Sequence, residues 1–341
     1  MTDAFAGFDH PLPRPFDPAR AERALAALAA EGVTPPPRAR AVFDATFGNS
    51  PFLARLAARE PATLAEIVAH GPHAALEGVD AAMQAVERAS DEASAMAALR
   101  RAKRQAALIV ALADVAGLWN VGEVTRALSL FADAAIRSAL RFLLRRSAEH
   151  AGMDASDPER LEAETGLVVL AMGKYGAYEL NYSSDVDLIV FYDTARFPFV
   201  KKDDPRAAAV DIVKGLVKLL AEVTVDGYVF RVDLRLRPDA GATQVAISTG
   251  AAEDYYESMG QNWERAAMIK ARACAGDPMA AAGFLKAIEP FVWRRNLDFA
   301  AIEDIHSIKR QIHAHGGFGG IAIPGHNIKL GRGGIREMEW M

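Results

Sequence analysis

The sequence predicts an α+β fold, in which a small mixed β-sheet is flanked by largely helical N- and C-terminal regions. Three observations support this fold class. Alanine and leucine dominate the first part of the chain, with helix stop signals at helix-length intervals. Short apolar runs bounded by glycine follow Gly166, and helix-forming residues return after Thr249. We therefore divide the chain into a helical region (1–160), a sheet core (161–250) and a second helical region (251–341).

The first region is predicted to consist of packed helices. Apolar side chains recur there at helical spacing and should form a buried stripe: Val124, Leu128, Phe131, Ala135, Ala139 and Phe142. Arg126, Arg137 and Arg141 lie off this stripe and are expected to be mostly solvated. The basic cluster at residues 100–104 is interpreted as a solvated helix face, in preference to a phosphate or partner site.

The second region has the pattern of a compact core of strands and one helix. Residues 167–172 and 186–192 are short apolar runs that predict buried strands. Residues 205–223 place apolar side chains at helical spacing, and an Asp-Gly turn at 226–227 follows. Residues 228–238 then alternate between apolar and charged side chains. This alternation predicts a third strand, with its arginines and its aspartate on one face.

Two aspartates one residue apart, Asp185 and Asp187, open the second predicted strand. Side chains two positions apart on a strand point to the same face. Two carboxylates aimed into one small space repel each other unless a cation lies between them. Asp233, in the third predicted strand, adds a third carboxylate, and hard ions such as Mg²⁺ prefer oxygen ligands. We therefore predict Asp185, Asp187 and Asp233 as catalytic residues that bind Mg²⁺.

A glycine-rich turn precedes these carboxylates. Gly173 and Lys174 follow the first apolar strand, where glycine lets backbone N–H groups approach a phosphate and lysine adds positive charge. Ser184 can donate a hydroxyl to phosphate or hold the aspartates in place, and Arg231 and Arg235 share the face of the third aspartate. These five are predicted nucleotide- or phosphate-binding residues. Divalent ions roughly 3.5–4 Å apart stabilise both ends of an in-line displacement, so the pattern indicates metal-dependent nucleotidyl transfer.

The composition limits the alternatives. The chain has 341 residues, of which 51% are hydrophobic, enough for a large core. A net charge of -5 gives no overall attraction to nucleic acid or anionic membrane, and the longest apolar stretch, residues 106–119, is too short to span a bilayer. The single cysteine excludes an intrachain disulfide and favours a reducing compartment. We therefore expect a soluble, cytoplasmic protein with neither nucleic acid nor membrane as a partner.

Longer motifs carry a resemblance to a known family. Gly173-Lys174, ten residues and Asp185-Val186-Asp187 together resemble the signature of the DNA polymerase β-like nucleotidyltransferase superfamily, although most members have serine where this chain has Lys174. The more particular strings are GKYGAYELNYSSDVDLIVFYD, VFRVDLRLRPDAG, DYYESMGQNWERAAMIKAR, PFVWRRNLDF and NIKLGRGGIREMEW. They resemble the bifunctional glutamine synthetase adenylyltransferase/adenylyl-removing enzymes of bacterial nitrogen control, over nearly the whole chain.

This resemblance implies a polymerase β-like core and a chain that covers about the first third of a protein with two such domains. The string ELNYSSDVDL is similar to the adenylyl-removing domain, which implies phosphorolysis: phosphate removes AMP from a tyrosine of glutamine synthetase and releases ADP. The resemblance places the metal-binding carboxylates on the three aspartates and the phosphate-binding turn on Gly173, Lys174 and Ser184. It also implies Mg²⁺, ADP or ATP, and the PII signal protein as partners.

Other functions stay open at this point. ATP-dependent adenylylation and uridylylation use the same core, because a site that stabilises a pentavalent phosphorus works in both directions. A truncated chain can instead act as a non-catalytic helical docking module for glutamine synthetase or PII. Three acidic groups facing one space without a metal would be destabilising, which argues against that module. Lys270, Arg272 and Arg336 are further predicted contacts of the nucleotide phosphates, whereas the charged residues beside them can equally form structural pairs.

Overall fold

The computed structural model describes residue 5, residues 11–201, 203–293 and 324–329, residue 331 and residues 333–335. Within this part of the chain, eight helices precede the sheet: α1 (Pro18–Ala30), α2 (Pro37–Asn49), α3 (Pro51–Arg59), α4 (Pro61–Ala82), α5 (Gln84–Glu87), α6 (Glu92–Val115), α7 (Val121–His150) and α8 (Pro158–Glu164). The largely helical N-terminal region is therefore confirmed. Arg336 lies outside the described residues, as do residues 294–323 of the predicted second helical region.

Side-chain caps explain where several of these helices begin. The hydroxyl of Ser50 accepts a backbone N–H from the first turn of α3 at 3.2 Å, and Asp91 accepts one from α6 at 2.8 Å. Asn120 and Glu123 form a reciprocal capping box at the start of α7. These bonds satisfy N–H groups that the first turn of a helix leaves without an intrahelical partner.

The predicted apolar stripe of α7 is confirmed, because all six of its members are buried. The expectation that Arg141 is solvated is wrong. Its Nε lies 2.5 Å from Glu162 Oε2, and its Nη1 lies 3.3 Å from Glu87 Oε1. Glu87 belongs to α5 and Glu162 to α8, and both helices pack on α7, so they cover a side of the helix that its own sequence predicts as solvent-facing.

The described residues form a five-stranded mixed sheet, which confirms the predicted α+β fold class. Its strands are β1 (Leu167–Ala171), β2 (Val186–Tyr192), β3 (Val232–Asp233), β4 (Ile247–Ser248) and β5 (Arg272–Gly276). The order is β3-β2-β1-β5, with β4 also pairing β2. β1 is antiparallel to β2 and β5, whereas β2 is parallel to β3 and β4.

Six further helices accompany the sheet: α9 (Gly173–Gly176), α10 (Pro205–Ala221), α11 (Thr249–Ser258), α12 (Asn262–Met268), α13 (Pro278–Ala287) and α14 (Glu289–Val292). In the part of the chain that the structure describes, every helix is too short or too polar to cross a membrane.

Apolar layers cover both faces of the sheet. Val169 and Ala171 of β1 pack in the same core as the N-terminal helices and α10. Val168 and Leu170 point to the opposite face and pack with residues of α11, α12, α13 and α14. β1 is therefore buried along its whole length, which explains its continuous apolar sequence. The end of β1 and the start of β2 lie together at one end of this covered sheet.

The predicted strand at residues 228–238 is mostly wrong, because only the two residues of β3 are in strand conformation. Val229 and Phe230 were expected on opposite faces, yet both are buried. Their N–H groups bind the carbonyl oxygen of Leu220, near the end of α10, at 2.9 and 3.1 Å. Further along, the Arg237 side chain turns back and donates to four backbone carbonyl oxygens. The hydrogen-bonding groups of this segment therefore bind a helix end and a loop, and the strand does not extend beyond two residues.

The strand β5 was not predicted, because helix-forming residues dominate the segment from which it comes. The helices α11 and α12 do form in that segment, and β5 then pairs with β1. Strand propensity depends strongly on the neighbouring strand, and the local sequence does not contain that neighbour. The sheet thus takes a strand from beyond the predicted core at residues 161–250, while the division into three regions stays a prediction.

The expectation of a solvated face at residues 100–104 is wrong for Arg100. Its side chain is 1% exposed, and it donates to the carbonyl oxygens of Leu219 at 3.0 Å and Gly227 at 2.8 Å. Leu219 lies in the last turn of α10, where carbonyl groups have no partner within the helix. A buried guanidinium of α6 therefore holds the end of α10 and the turn that leads to β3.

Candidate active site

The single helical turn α9 connects the end of β1 to the loop before β2. Gly173 has a φ of +56°, which residues with a side chain rarely adopt, and a Cβ added there would lie 3.0 Å from Asp187 Oδ2. A Cβ added at Gly176 would lie 2.0 Å from the carbonyl oxygen of Lys270. The two glycines therefore let α9 lie against Asp187 on one side and against the chain before β5 on the other.

The strand register brings two of the predicted carboxylates side by side. Asp187 in β2 and Asp233 in β3 are direct partners across the parallel pair. The backbone N–H of Val186 donates to the carbonyl oxygen of Arg231 at 2.9 Å, which fixes this register. Asp185 immediately precedes β2. The third aspartate thus lies beside Asp187, as the sequence predicts.

Asp187 is half-buried among these acidic groups. Its pKa is raised to about 6, first by burial and then by the negative charges of Asp233 and Asp185. The positive charges of Lys329 and Arg235 act in the opposite direction. None of the described residues donates a hydrogen bond to the Asp187 carboxylate. A cation would stabilise such a group, because it would offset both the desolvation and the repulsion.

Arginines neutralise the other two aspartates. Arg231 donates to Asp185 Oδ1 from Nε at 3.2 Å and from Nη2 at 2.8 Å. The Nε of Arg235 lies 3.0 and 2.9 Å from the two carboxylate oxygens of Asp233, and this hydrogen bonding lowers the pKa of Asp233. The side chains of Arg231 and Arg235 are 50% and 85% exposed. Ion pairs formed by such exposed arginines contribute little to stability, so both arginines can exchange a carboxylate for a phosphate.

The donor set suits a hard divalent cation, but its side chains are not arranged as a finished metal site. Among the described residues, no group of three or more His, Cys, Asp or Glu side chains is placed to hold a metal ion. We attribute this to the two arginines, which engage Asp185 and Asp233. Three carboxylates offer only oxygen, as Mg²⁺ prefers, and a cation would relieve the repulsion around Asp187. The residues therefore fit Mg²⁺ chemically, provided that Asp185 and Asp233 release their arginines.

The predicted phosphate-binding residues near the aspartates lie in two segments. Lys174 follows Gly173 in α9 and has a partly exposed side chain. Ser184 donates its hydroxyl to Asn181 Oδ1 at 2.9 Å, and the backbone N–H of Ser183 donates to the same oxygen at 3.2 Å. Ser184 therefore helps to order the loop before Asp185. This contact is consistent with its predicted role of holding the aspartates in place.

Arg272, predicted as a phosphate contact, binds the protein itself. Its guanidinium donates to both carboxylate oxygens of Asp133 at 2.8 and 2.9 Å. It also donates to the carbonyl oxygens of Tyr175 and Gly176, each at 3.2 Å. These contacts use all three nitrogen atoms of the group, so the expectation of a phosphate contact is wrong for Arg272. Lys270 pairs with an exposed glutamate, Glu179, at 3.2 Å.

Sequence reasoning missed two charged residues near the site. Lys329 lies close enough to Asp187 for its positive charge to lower the pKa of that carboxyl. It lies in the string NIKLGRGGIREMEW, which stood out by family resemblance and not by any chemical pattern. Asp133 lies in α7 between the apolar residues Phe131 and Ala135. An acidic residue in a buried stripe needs a hydrogen-bond or ion-pair partner, and this requirement could have identified Asp133 from the sequence.

The family model of glutamate-ammonia ligase adenylyltransferase matches residues 42–287. This range is more than half of the 341 residues and contains α9, the three aspartates and β5. The chain belongs to this family. The resemblance that the motifs indicated is therefore confirmed.

Three curated relatives of the family are similar to most of the chain, and each is a bifunctional glutamine synthetase adenylyltransferase/adenylyl-removing enzyme. The relative from Xanthobacter autotrophicus is 50% identical over 304 residues, covering 89% of this chain and 31% of the relative. The one from Rhodopseudomonas palustris is 48% identical over 305 residues, with 89% and 31% covered. The one from Caulobacter vibrioides is 45% identical over 328 residues, with 95% and 33% covered. The chain thus spans about a third of the length of these relatives.

Proposed function

We propose that this chain carries a nucleotidyltransferase site that removes AMP from an adenylylated tyrosine of glutamine synthetase by phosphorolysis, with release of ADP. Family membership supports the nucleotidyl chemistry, and the names of the relatives include both adenylyl transfer and adenylyl removal. The direction of removal is supported by the similarity of ELNYSSDVDL to the adenylyl-removing domain.

In this reaction an oxygen of inorganic phosphate forms a bond to the phosphorus of the AMP group. The bond between that phosphorus and the tyrosyl oxygen breaks, the tyrosyl oxygen takes up a proton, and AMP joined to phosphate leaves as ADP. Negative charge increases on the attacking and leaving oxygens. Mg²⁺, when bound, supplies positive charge to these oxygens, and Asp185, Asp187 and Asp233 are the residues that would hold it.

The arginines and α9 would bind the phosphate groups. Arg231 and Arg235 pair with the carboxylates that would hold the metal, so both guanidinium groups would become available to phosphate oxygens when those carboxylates bind a cation. A guanidinium can bind two phosphate oxygens at once. Gly173 leaves the backbone of α9 open to a close approach, and Lys174 adds a positive charge there.

The register of β2 and β3 is the observation that carries this proposal. It places Asp187 directly beside Asp233, and the proximity contributes to the raised pKa of Asp187. A purely structural acidic residue at this depth would be expected to accept hydrogen bonds from the protein. The carboxylate of Asp187 instead has acidic neighbours, which favours a catalytic site over a docking module.

The ATP-dependent adenylylating reaction would use the same residues, so its product is part of the test. The uridylylating alternative, binding of PII and a cytoplasmic location stay predictions from the sequence.

The test incubates the 341-residue chain with adenylylated glutamine synthetase, phosphate and Mg²⁺, and measures ADP. We expect ADP from the unaltered chain and a rate about 10²–10³-fold lower for Asp187→Asn, because the metal ligands lose charge. Asp211→Asn is the matched control. Asp211 is an exposed aspartate of α10 that pairs with Lys201, and its substitution should leave the rate unchanged.

Three outcomes would redirect the proposal. A chain that binds glutamine synthetase but releases no ADP would be a docking module. Transfer of AMP from ATP to unmodified glutamine synthetase, without ADP release from the adenylylated form, would show the adenylylating direction. An equal loss of rate in Asp187→Asn and Asp211→Asn would remove the acidic site from the mechanism.

A further inference from the structure

A polar network lies beneath α9 and has no place in the chemistry above. It comprises Asp133 of α7, Tyr175 of α9 and Arg272 of β5, and we name it the Asp133 network. Arg272 Nη1 and Nη2 lie 2.8 and 2.9 Å from the two carboxylate oxygens of Asp133. The Tyr175 hydroxyl donates to Asp133 Oδ1 at 2.5 Å. One carboxylate therefore joins a residue of the turn to a residue of the neighbouring strand.

The Asp133 network is largely buried. Tyr175 is 0% and Asp133 is 7% exposed, and the Arg272 side chain is 15% exposed. Arg272 also donates to the carbonyl oxygens of Tyr175 and Gly176, and its guanidinium lies 3.8 Å from the centre of the Tyr178 ring. Low solvent exposure strengthens charge-assisted hydrogen bonds and makes a partly satisfied network costly. Arg272 thus binds the backbone of α9 directly and binds the Tyr175 side chain through Asp133.

The Asp133 network and a further contact from α7 hold α9 and the loop that follows it. Ser129, also on α7, accepts the backbone N–H of Leu180 at 3.2 Å, just after the turn. On the opposite side, Gly173 is so close to Asp187 that an added Cβ would lie 3.0 Å from its carboxylate. The N–H of Met172, which directly precedes α9, also donates to the carbonyl oxygen of Asp187 at 3.0 Å. Contacts from α7 and β5 therefore act together with this bond in placing the backbone of α9 beside Asp187.

We propose that Arg272 is a positioning residue: through Asp133 and Tyr175 it holds α9 at the distance from Asp187 that binding of the ADP phosphates with Mg²⁺ requires. This inference rests on the proposed function. The alternative is that the Asp133 network only stabilises the packing of β5 on α7. The two possibilities differ in whether a substitution changes ligand binding or only the stability of the fold.

A matched ion pair at the other end of β5 separates these possibilities. Arg196 Nε and Nη2 lie 2.8 and 2.6 Å from Asp277 Oδ2, and Asp277 is fully buried. Asp277 directly follows β5, whereas Arg272 begins it, so the two pairs anchor opposite ends of one strand. Replacing arginine by lysine keeps the charge and removes the planar fork. Arg272→Lys and Arg196→Lys therefore make the same chemical change near the site and far from it.

The first measurement is the affinity of the 341-residue chain for ADP with Mg²⁺ by calorimetry, together with the thermal midpoint of each variant. We expect Arg272→Lys to raise the dissociation constant about 10–100-fold and Arg196→Lys to change it less than about twofold, even where both lower the midpoint equally. Tyr175→Phe, which removes only one hydroxyl, should raise the constant in the same direction by a smaller factor. An unchanged constant in Arg272→Lys, or an equal rise in both lysine variants, would overturn the inference.

If Arg272→Lys does not fold, Tyr175→Phe decides the question: a raised dissociation constant supports the positioning role and an unchanged one overturns it.

Hydrogen exchange distinguishes failure of this inference from failure of the proposed function. The backbone amides of residues 173–177 should exchange faster in Arg272→Lys than in the unaltered chain, and at an unchanged rate in Arg196→Lys. This comparison needs no bound nucleotide. If the unaltered chain does not bind ADP with Mg²⁺, the proposed function fails, and the exchange rates still test whether Arg272 holds α9. Unchanged exchange at these amides would show that it does not.

Discussion

The two ends of the sheet use aspartate in opposite ways. At the end away from the site, Asp277 is fully buried and accepts backbone N–H groups of Gly166 at 3.1 Å and Met279 at 2.9 Å, as well as the Arg196 guanidinium. At the site end, Asp187 is half-buried, and its carboxylate accepts no hydrogen bond from any residue that the structure describes. Burial, followed by the negative charges of its acidic neighbours, raises its pKa to about 6.

Burial alone therefore does not mark a functional acid. Asp277 is the more buried of the two, but hydrogen bonds and an ion pair replace the water that it has lost. The desolvation of Asp187 is not offset by donors in the same way. An imbalance of that kind points to a group that needs a further partner, and a cation is the partner that its charge favours. Four predictions test this contrast between Asp277 and Asp187.

Substitution of Asp277 should have the strongest effect, a loss of stability at the far end of the sheet. Asp277→Ala removes acceptors from two helix N–H groups and one strand-end N–H group, and it leaves Arg196 without its partner. We expect the free energy of unfolding to fall by about 3–5 kcal/mol, measured by urea denaturation. A loss below about 1 kcal/mol would mean that the Arg196–Asp277 pair contributes no more to the free energy of unfolding than an exposed ion pair does.

The next effect is a pH dependence of Mg²⁺ binding at the site end. The folded-state pKa of Asp187, about 6, lies above its ordinary value of 3.8, so this group favours the folded, metal-free chain increasingly as pH falls through about 6. Mg²⁺ competes with the bound proton. Its affinity, measured by calorimetry, should be constant well above pH 6 and fall about tenfold per pH unit below it. An affinity that does not change across this range would show that Asp187 is not a ligand.

A smaller effect is expected from Asp187→Asn in the absence of metal. The substitution removes one of three neighbouring negative charges, so the thermal midpoint should stay constant or rise by the equivalent of up to about 1 kcal/mol. Mg²⁺ should then no longer raise the midpoint, whereas Asp211→Asn should keep the response to Mg²⁺. A strongly destabilised Asp187→Asn chain would make Asp187 a structural residue like Asp277.

The smallest effect concerns the exposed arginine of the acidic site. Arg235 is 85% exposed, so Arg235→Ala should leave the thermal midpoint unchanged within error. The pKa of Asp233 should rise, because the hydrogen bond from Arg235 is the main cause that lowers it. An NMR titration of the Asp233 carboxyl measures this change. Arg196→Ala serves as the contrast, and we expect it to lower the midpoint clearly.

The sequence predicted best those elements whose signal is local. The helices of the first region and the strands β1 and β2 have continuous or periodic apolar patterns, and they lie where expected. Strand β5 has the sequence RACAG, which contains no β-branched or aromatic residue. It forms because it pairs with β1, and its own sequence does not contain that information. The ion pairs of Arg141 and Arg272 were not predicted, for a related reason. Both bind buried acidic residues contributed by distant segments of the chain.

Spacing and apolar character along a short stretch suffice to predict that glycines follow one buried strand and that Asp185 and Asp187 open the next. The pairing of Asp233 with Asp187 and the binding of Arg272 to Asp133 are visible only in the folded chain. These pairs join residues that are 46 and 139 positions apart. Their formation depends on the packing of whole strands and helices, in which burial and partner availability outweigh any local pattern.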